Sequence, residues 1–408
     1  MSRSKTILQS VPTLSGLRRE GGGWVIGSVA IGWLLVLGLR FTLPALVPQL
    51  KTTFGIDNAT AGIAITVVWA TYAAMQLPAG MLIERVGERR LLAGSALLTG
   101  LSALGFGLAP VFGVFLVVCG LFGFATGLYG PTRATVLSNV YPEHDGAAFG
   151  VLLGAGSIGA ATVPLAASAL IGRVGWQPAL ALAAPLLGLA GVALWRSLPT
   201  HSLAANETTT EASDRSERAR AVIRGIARRS VVIVVIGATL MLFVFQGLTA
   251  FLPTYLVVAK GLGQASATAL FALLFVCGAA FQLAAGAAAD RFGDRTVLLT
   301  LTTASIVPLA LLPFVSGPVL LAAVVLLGAR YASAPITNAY VLDVLPDEIQ
   351  GTAWGSLRTA FFLVGATGST FVGALADRGF FDEAVLILAA LTALAVGVFA
   401  VLPPRTAT

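Results

Sequence analysis

Twelve stretches of about twenty or more predominantly apolar residues run through this chain. Each is long enough to cross roughly 30 Å of hydrocarbon at about 1.5 Å per helical residue. A soluble domain could not hide so much apolar surface: 57% of the 408 residues are hydrophobic, 11% are charged and the mean hydropathy is +0.91. The expected fold class is therefore an all-α integral membrane protein with twelve transmembrane helices, its apolar area facing lipid.

The net charge of +7 could suggest a nucleic-acid partner, but its distribution points to the bilayer instead. Of the 25 Lys and Arg residues, 17 fall on the side of the tails and the even-to-odd loops, 4 on the other side and 4 inside spans. That asymmetry predicts a multi-pass protein of the plasma membrane with both termini cytoplasmic, its basic residues near anionic headgroups. Cys119 and Cys277 lie within apolar runs, and His144 and His201 lie in loops, so no disulfide, metal site or intramembrane histidine relay is expected. No cofactor is expected either. The chain has no Walker-type phosphate loop and no nucleophile constellation, which argues against an ATP-driven pump or an enzyme. A small-molecule substrate and the lipid bilayer are the expected partners, and the expected state is a monomer.

One stretch occurs twice. GMLIERVGERRLL at 80–92 returns as GAAADRFGDRTVL at 286–298, each preceded by Gln-Leu-x-Ala. A shift of 206 positions lays Gln76, Leu77, Gly80, Arg85, Gly87, Arg89 and Leu92 on Gln282, Leu283, Gly286, Arg291, Gly293, Arg295 and Leu298. At a shift of 204, Pro131 meets Pro335 and Pro142 meets Pro346. The chain reads as two copies of one unit. It divides into a tail (1–23), a six-helix bundle (24–197), a linker with a basic interfacial helix (198–229), a second six-helix bundle (230–402) and a short tail (403–408).

The repeated charged hairpin resembles the loop signature of the major facilitator superfamily of secondary transporters, with Glu84 where the family usually has Asp. The resemblance implies two pseudo-symmetric bundles that rock about a central cavity. It also implies that the first hairpin latches against the start of helix 11. On that basis Gly80, Glu84, Arg85, Gly87 and Arg89, with Gly286, Asp290, Arg291, Gly293 and Arg295, are conformational residues. In helix 5, Gly150, Gly154, Gly156 and Gly159 provide small-residue spacings suited to close helix packing.

Four arginines lie inside spans: Arg40, Arg133, Arg330 and Arg358. A guanidinium near mid-membrane costs at least about 2.5–3.5 kcal/mol, so such residues line water or meet a partner. Arg133 and Arg358 lie roughly 10 Å from the ends of their helices and can snorkel. They are secondary candidates, as is Asp343. Arg40 and Arg330 are deeper, and the resemblance implies that helices 1, 4, 7 and 10 line the cavity, so these two should converge there from opposite halves. Trp33, Trp69, Tyr72, Tyr129, Gln246, Tyr331, Asn338 and Tyr340 are the candidates to complete the pocket, Gln246 falling opposite Arg40 in the repeat. All 18 acidic residues fall in tails, loops or helix ends. Two cations and no acid suit an anionic organic metabolite. Export of hydrophobic compounds and a non-transporting sensor of the same fold are the alternatives.

Overall fold

The computed structural model describes residues 22–199, 220, 222–345 and 350–402. Residues 1–21, most of the linker, 346–349 and 403–408 lie outside them. The spans are α1 (Gly22–Ala45, continued by Val47–Phe54), α2 (Asn58–Ala74 and Gln76–Val86), α3 (Glu88–Leu108), α4 (Phe112–Val140), α5 (Asp145–Val174) and α6 (Trp176–Ala181 and Ala183–Ser197). In the second half they are α7 (Arg229–Val258), α8 (Gln264–Phe292), α9 (Asp294–Ala304 and Ile306–Leu311), α10 (Gly317–Leu327, a 3-10 segment Gly328–Ala332, then Ser333–Val344), α11 (Gln350–Ala366 and Gly368–Ala376) and α12 (Phe381–Ala400). With twelve spans, the start of α1 and the end of α12 share one face, here the terminal face; the other is the distal face.

Several spans are broken, and proline accounts for most of the breaks. Its ring clashes with the carbonyl four residues back and it offers no N–H. Pro78, Pro185 and Pro308 stand four residues after Ala74, Ala181 and Ala304, and a helical segment ends on each of those alanines. The two parts of α2 are bent by 47°. Pro335 stands four residues after Tyr331, within the 3-10 turn of α10. In α1, Pro44 and Pro48 bracket the break at Leu46. Pro131, Pro164 and Pro253 lie in continuous helices.

The duplication is visible in both pairing and local geometry. α1 packs on α5, α2 on α4 and α3 on α6, and correspondingly α7 packs on α11, α8 on α10 and α9 on α12. The two charged hairpins turn on glycines of matching conformation, φ 86°, ψ 148° at Gly87 and φ 80°, ψ 149° at Gly293. L-residues avoid that region, so glycine is required at both turns. In α5, Gly156 and Gly159 lie against Trp33 and the Leu34 backbone of α1, whereas Gly150 and Gly154 face open space.

The halves meet through α2–α11, α5–α8 and α1–α7. On the distal side this contact is closed. The Phe41 ring of α1 lies 4.4 Å from Phe275 and 6.4 Å from Phe271 of α8, and 6.3 Å from Phe245 of α7. The Gln264 side chain at the start of α8 donates to the Ala45 carbonyl at 3.0 Å. Thr66 of α2 donates to the Ala366 carbonyl at 2.9 Å. At the distal rim, Asp377 accepts from the first residues of α2.

Candidate functional site

One residue before the Phe41 plug, α1 delivers Arg40 to the boundary between the halves. Arg40 is 3% exposed. Its guanidinium carbon lies 4.6 Å from the Trp69 ring centroid and 4.2 Å from that of Tyr72, both on α2. Each face contributes roughly 0.5–2 kcal/mol of cation–π attraction. The C-terminal half closes the same aromatic wall, because Phe362 of α11 stacks on Trp69 at 5.9 Å and meets Tyr72 at 5.7 Å. The rings hold the cation, but they leave its Nε and Nη2 without a hydrogen-bond partner among the described residues.

Arg133 and Arg358 add to this charge. The Arg133 guanidinium sits 3.3 Å from the Trp33 ring centroid, and that of Arg358 sits 5.5 Å from Phe362. Tyr72 is within electrostatic range of Arg40, Arg133 and Arg358, and the arginines also act on one another. Nε and Nη1 of Arg133 and Nε of Arg358 lack partners too. The principal titratable neighbours of Arg40 and Arg133 are tyrosines and the other arginines, with no carboxylate among them. Like charges held together in a poorly polarisable interior repel strongly, and a buried donor without an acceptor costs about 1–3 kcal/mol. An anion relieves both penalties.

The C-terminal half supplies polar groups of another kind. The Tyr331 ring is held 5.7 Å from Phe275 and 5.9 Å from Phe245, and its carbonyl accepts from Gln282 Nε2 at 3.0 Å. Tyr331 is in electrostatic range of Arg40 and Arg133, with the Ser157 hydroxyl of α5 beside it. Ser157 Oγ has Tyr331 as its near polar neighbour, and the Nε2 of buried Gln246 has no hydrogen-bond partner among the described residues.

Arg330 does not join this group. Its guanidinium points into the C-terminal bundle, where Nη1 donates to Thr392 Oγ1 of α12 at 3.1 Å and Nη2 lies 3.7 Å from Met241 Sδ of α7. The expected pair Arg40 and Arg330 is replaced by Arg40, Arg133 and Arg358. Tyr340 is likewise in the bundle core, packed with Val231, Val234 and Phe399. Tyr129 stacks on Trp33 at 6.0 Å but spends its hydroxyl on the Val29 carbonyl at 2.9 Å. Asn338 is half-buried on α10. The side chain of Asp343 lies outside the described residues.

The hairpin residues are dispersed. Glu84, Arg85 and Asp290 are exposed, and Arg291 is exposed with its guanidinium 5.1 Å from the Phe292 ring. Arg89 rests on Trp195 at 4.5 Å, and Arg295 Nη2 donates to the Ala400 carbonyl at 2.8 Å. A side chain at Gly80 or Gly286 would meet nothing. The side chains of 350–352 at the start of α11, against which the hairpin was expected to latch, lie outside the described residues; further along, Gly355 lies close to the Leu77 side chain of α2. Two site residues escaped the sequence: Ser157, and Phe362, whose signal was its spacing of four from Arg358 on one helix face.

The profile of the Major Facilitator Superfamily matches residues 29–279 and 257–408. The chain belongs to that superfamily. It is a transporter of small solutes of the major facilitator type. Among curated relatives, a probable sulfoacetate transporter of Cupriavidus necator is 25% identical over 390 residues, covering 90% of each chain. A probable hexose phosphate transport protein of Chlamydia trachomatis is 25% identical over 154 residues, 38% of this chain and 34% of its own. Among solved structures, a variant of the nucleoside transporter NupG superposes with a TM-score of 0.78 at 15% identity, covering 93% of this chain and 99% of that one, a likeness of fold.

Proposed function

We propose that this transporter carries a small anionic organic metabolite, held by Arg40 with Arg133 and Arg358 and walled by Trp33, Trp69, Tyr72 and Phe362. The observation that carries the reading is the set of guanidinium nitrogens left without partners among the described residues, with tyrosines and other arginines, and no described carboxylate, as the principal titratable neighbours of Arg40 and Arg133. Guanidinium forks match carboxylate, sulfonate and phosphate oxygens through paired hydrogen bonds. Tyr331, Ser157 and Gln246 complete the site from the α5–α8–α10 side and from α7. The relatives whose names specify sulfoacetate and hexose phosphate support the same class of cargo. Transport proceeds by rocking of the two bundles, so that the site opens alternately to either face. The charge asymmetry of the loops supports a cytoplasmic position for the terminal face, in the plasma membrane.

Proteoliposomes supplied with radiolabelled organic anions, sulfoacetate and sugar phosphates among them, test this directly. Wild-type protein accumulates at least one of them and Arg40→Gln does not. Uptake of uncharged or cationic compounds alone, or equal anion uptake by both proteins, removes the anion assignment and leaves the transporter in place.

A further inference from the structure

The first three N–H groups of α2 have no helical acceptor, as in any helix, and need partners from elsewhere. Thr60 donates its N–H to the Asp57 carboxylate at 2.8 Å. The other two are served from across the molecule. Asn58 N donates to Asp377 Oδ1 at 2.8 Å and Ala59 N donates to Asp377 Oδ2 at 2.7 Å. Asp377 follows the last residue of α11, 318 and 319 positions away in the other half.

The Asn58 side chain is oriented for the same purpose. Its Oδ1 accepts from Lys51 Nζ at 2.9 Å, which leaves Nδ2 to donate to Asp377 Oδ1 at 2.7 Å. Lys51 belongs to the short helix that continues α1, so that segment is tied to the carboxylate indirectly, through Asn58. Directly beneath, Gly373 of α11 lies so close to the Asn58 carbonyl that a Cβ there would collide with it.

We infer that Asp377 is a distal-face latch: its carboxylate, bound to the start of α2 and to Asn58, holds the two halves together on this side and must let go when the protein opens there. The chemistry suits a reversible tie. The bonds are charge-assisted and the helix dipole favours a carboxylate at this end. Asp377 is nevertheless exposed, so water and salt compete for it and the freed N–H groups can be solvated on opening. The latch does not depend on what the protein carries.

Spin labels at Thr52→Cys and Glu383→Cys, both exposed on the distal side in opposite halves, report the opening when Cys119 and Cys277 are replaced by alanine. In detergent or nanodiscs without substrate, Asp377→Asn and Asp377→Ala should raise the ratio of long to short label separations by about tenfold, the effect of losing one charge-assisted tie. Gly373→Ala, which forces the same contact apart by bulk and leaves the carboxylate intact, should act in the same direction. About 1 M salt, where the screening length falls to about 3 Å, should move the unsubstituted protein toward the variants. Separations unchanged in both Asp377 variants, or shifted no further than by Arg378→Ala at the neighbouring exposed residue, overturn the latch.

Discussion

The two halves share one scaffold but use arginine in opposite ways. In the N-terminal half Arg40 and Arg133 rest on aromatic faces at the boundary with the other half, with donors unmet. In the C-terminal half Arg330 is as deeply buried as Arg40 and its Nε also lacks a partner among the described residues, but no aromatic ring or second arginine among them lies against it, and its two terminal nitrogens are turned to Thr392 and Met241 of its own bundle. That half contributes instead Arg358, a tyrosine and amides. Duplication preserved the helices and their pairings, while the chemistry of the site diverged. A pseudo-symmetric carrier can thus hold its charge mainly on one side and its shape on both.

If the positive cluster is one site, removing its two outer members together should cost as much as removing Arg40. The double variant Arg133→Gln and Arg358→Gln is expected to weaken anion binding by about a hundredfold, and each single change by about tenfold, taking roughly 1.4 kcal/mol per charged contact. Titration calorimetry on purified protein measures both. A single change that leaves affinity intact would remove that residue from the site.

The hairpin glycines should show the halves behaving alike. Gly87→Ala and Gly293→Ala each force a side chain into a positive-φ, extended region that is essentially glycine-only, costing about 1–3 kcal/mol, and both should lower the melting temperature by a similar few degrees. Gly80→Ala and Gly286→Ala, inside helices with open space around them, should not lower it and should raise it slightly, through about 0.5–1 kcal/mol of added helix stability, in this distal-closed conformation.

The smallest contrast lies at the distal starts of α2 and α8. Thr60, through its hydroxyl and then its N–H, holds the Asp57 carboxyl below the usual carboxylate range, whereas α8 begins at Gly263 with no side-chain cap. Because the folded value is depressed, the cap is fully present at neutral pH and is lost only as pH falls through that depressed value. Hydrogen exchange at the Thr60 amide should therefore lose protection on acidification by more than the amides at the start of α8 do. Asp57 is exposed, so the loss is slight.

Much of the fold was legible because it is written in long-range composition. Apolar runs fixed the spans, and the twice-repeated hairpin with its obligatory Gly87 and Gly293 fixed the duplication. The site was less legible, for local reasons. Arg330 sits in a 3-10 turn beside Pro335, where the chain advances about 120° per residue instead of about 100°, so a helical wheel misplaces it. The turn gives Tyr331 to the site and Arg330 to the bundle. Depth also misled for Arg133 and Arg358. Their distance from the helix ends permits snorkelling, but Arg133 lies over Trp33, a ring from another helix that leaves no mark in a linear count, and Arg358 lies over Phe362, whose spacing of four on the same helix was the available signal. The distal latch at Asp377 joins residues some three hundred positions apart, and no periodicity announces it.

The most direct test sets the two deepest arginines against each other. Equilibrium binding of a labelled dianionic carboxylate to wild-type, Arg40→Gln and Arg330→Gln protein should show wild-type affinity in the Arg330 variant and a loss of about a hundredfold in the Arg40 variant. Loss of binding in the Arg330 variant with Arg40→Gln unaffected would contradict the account.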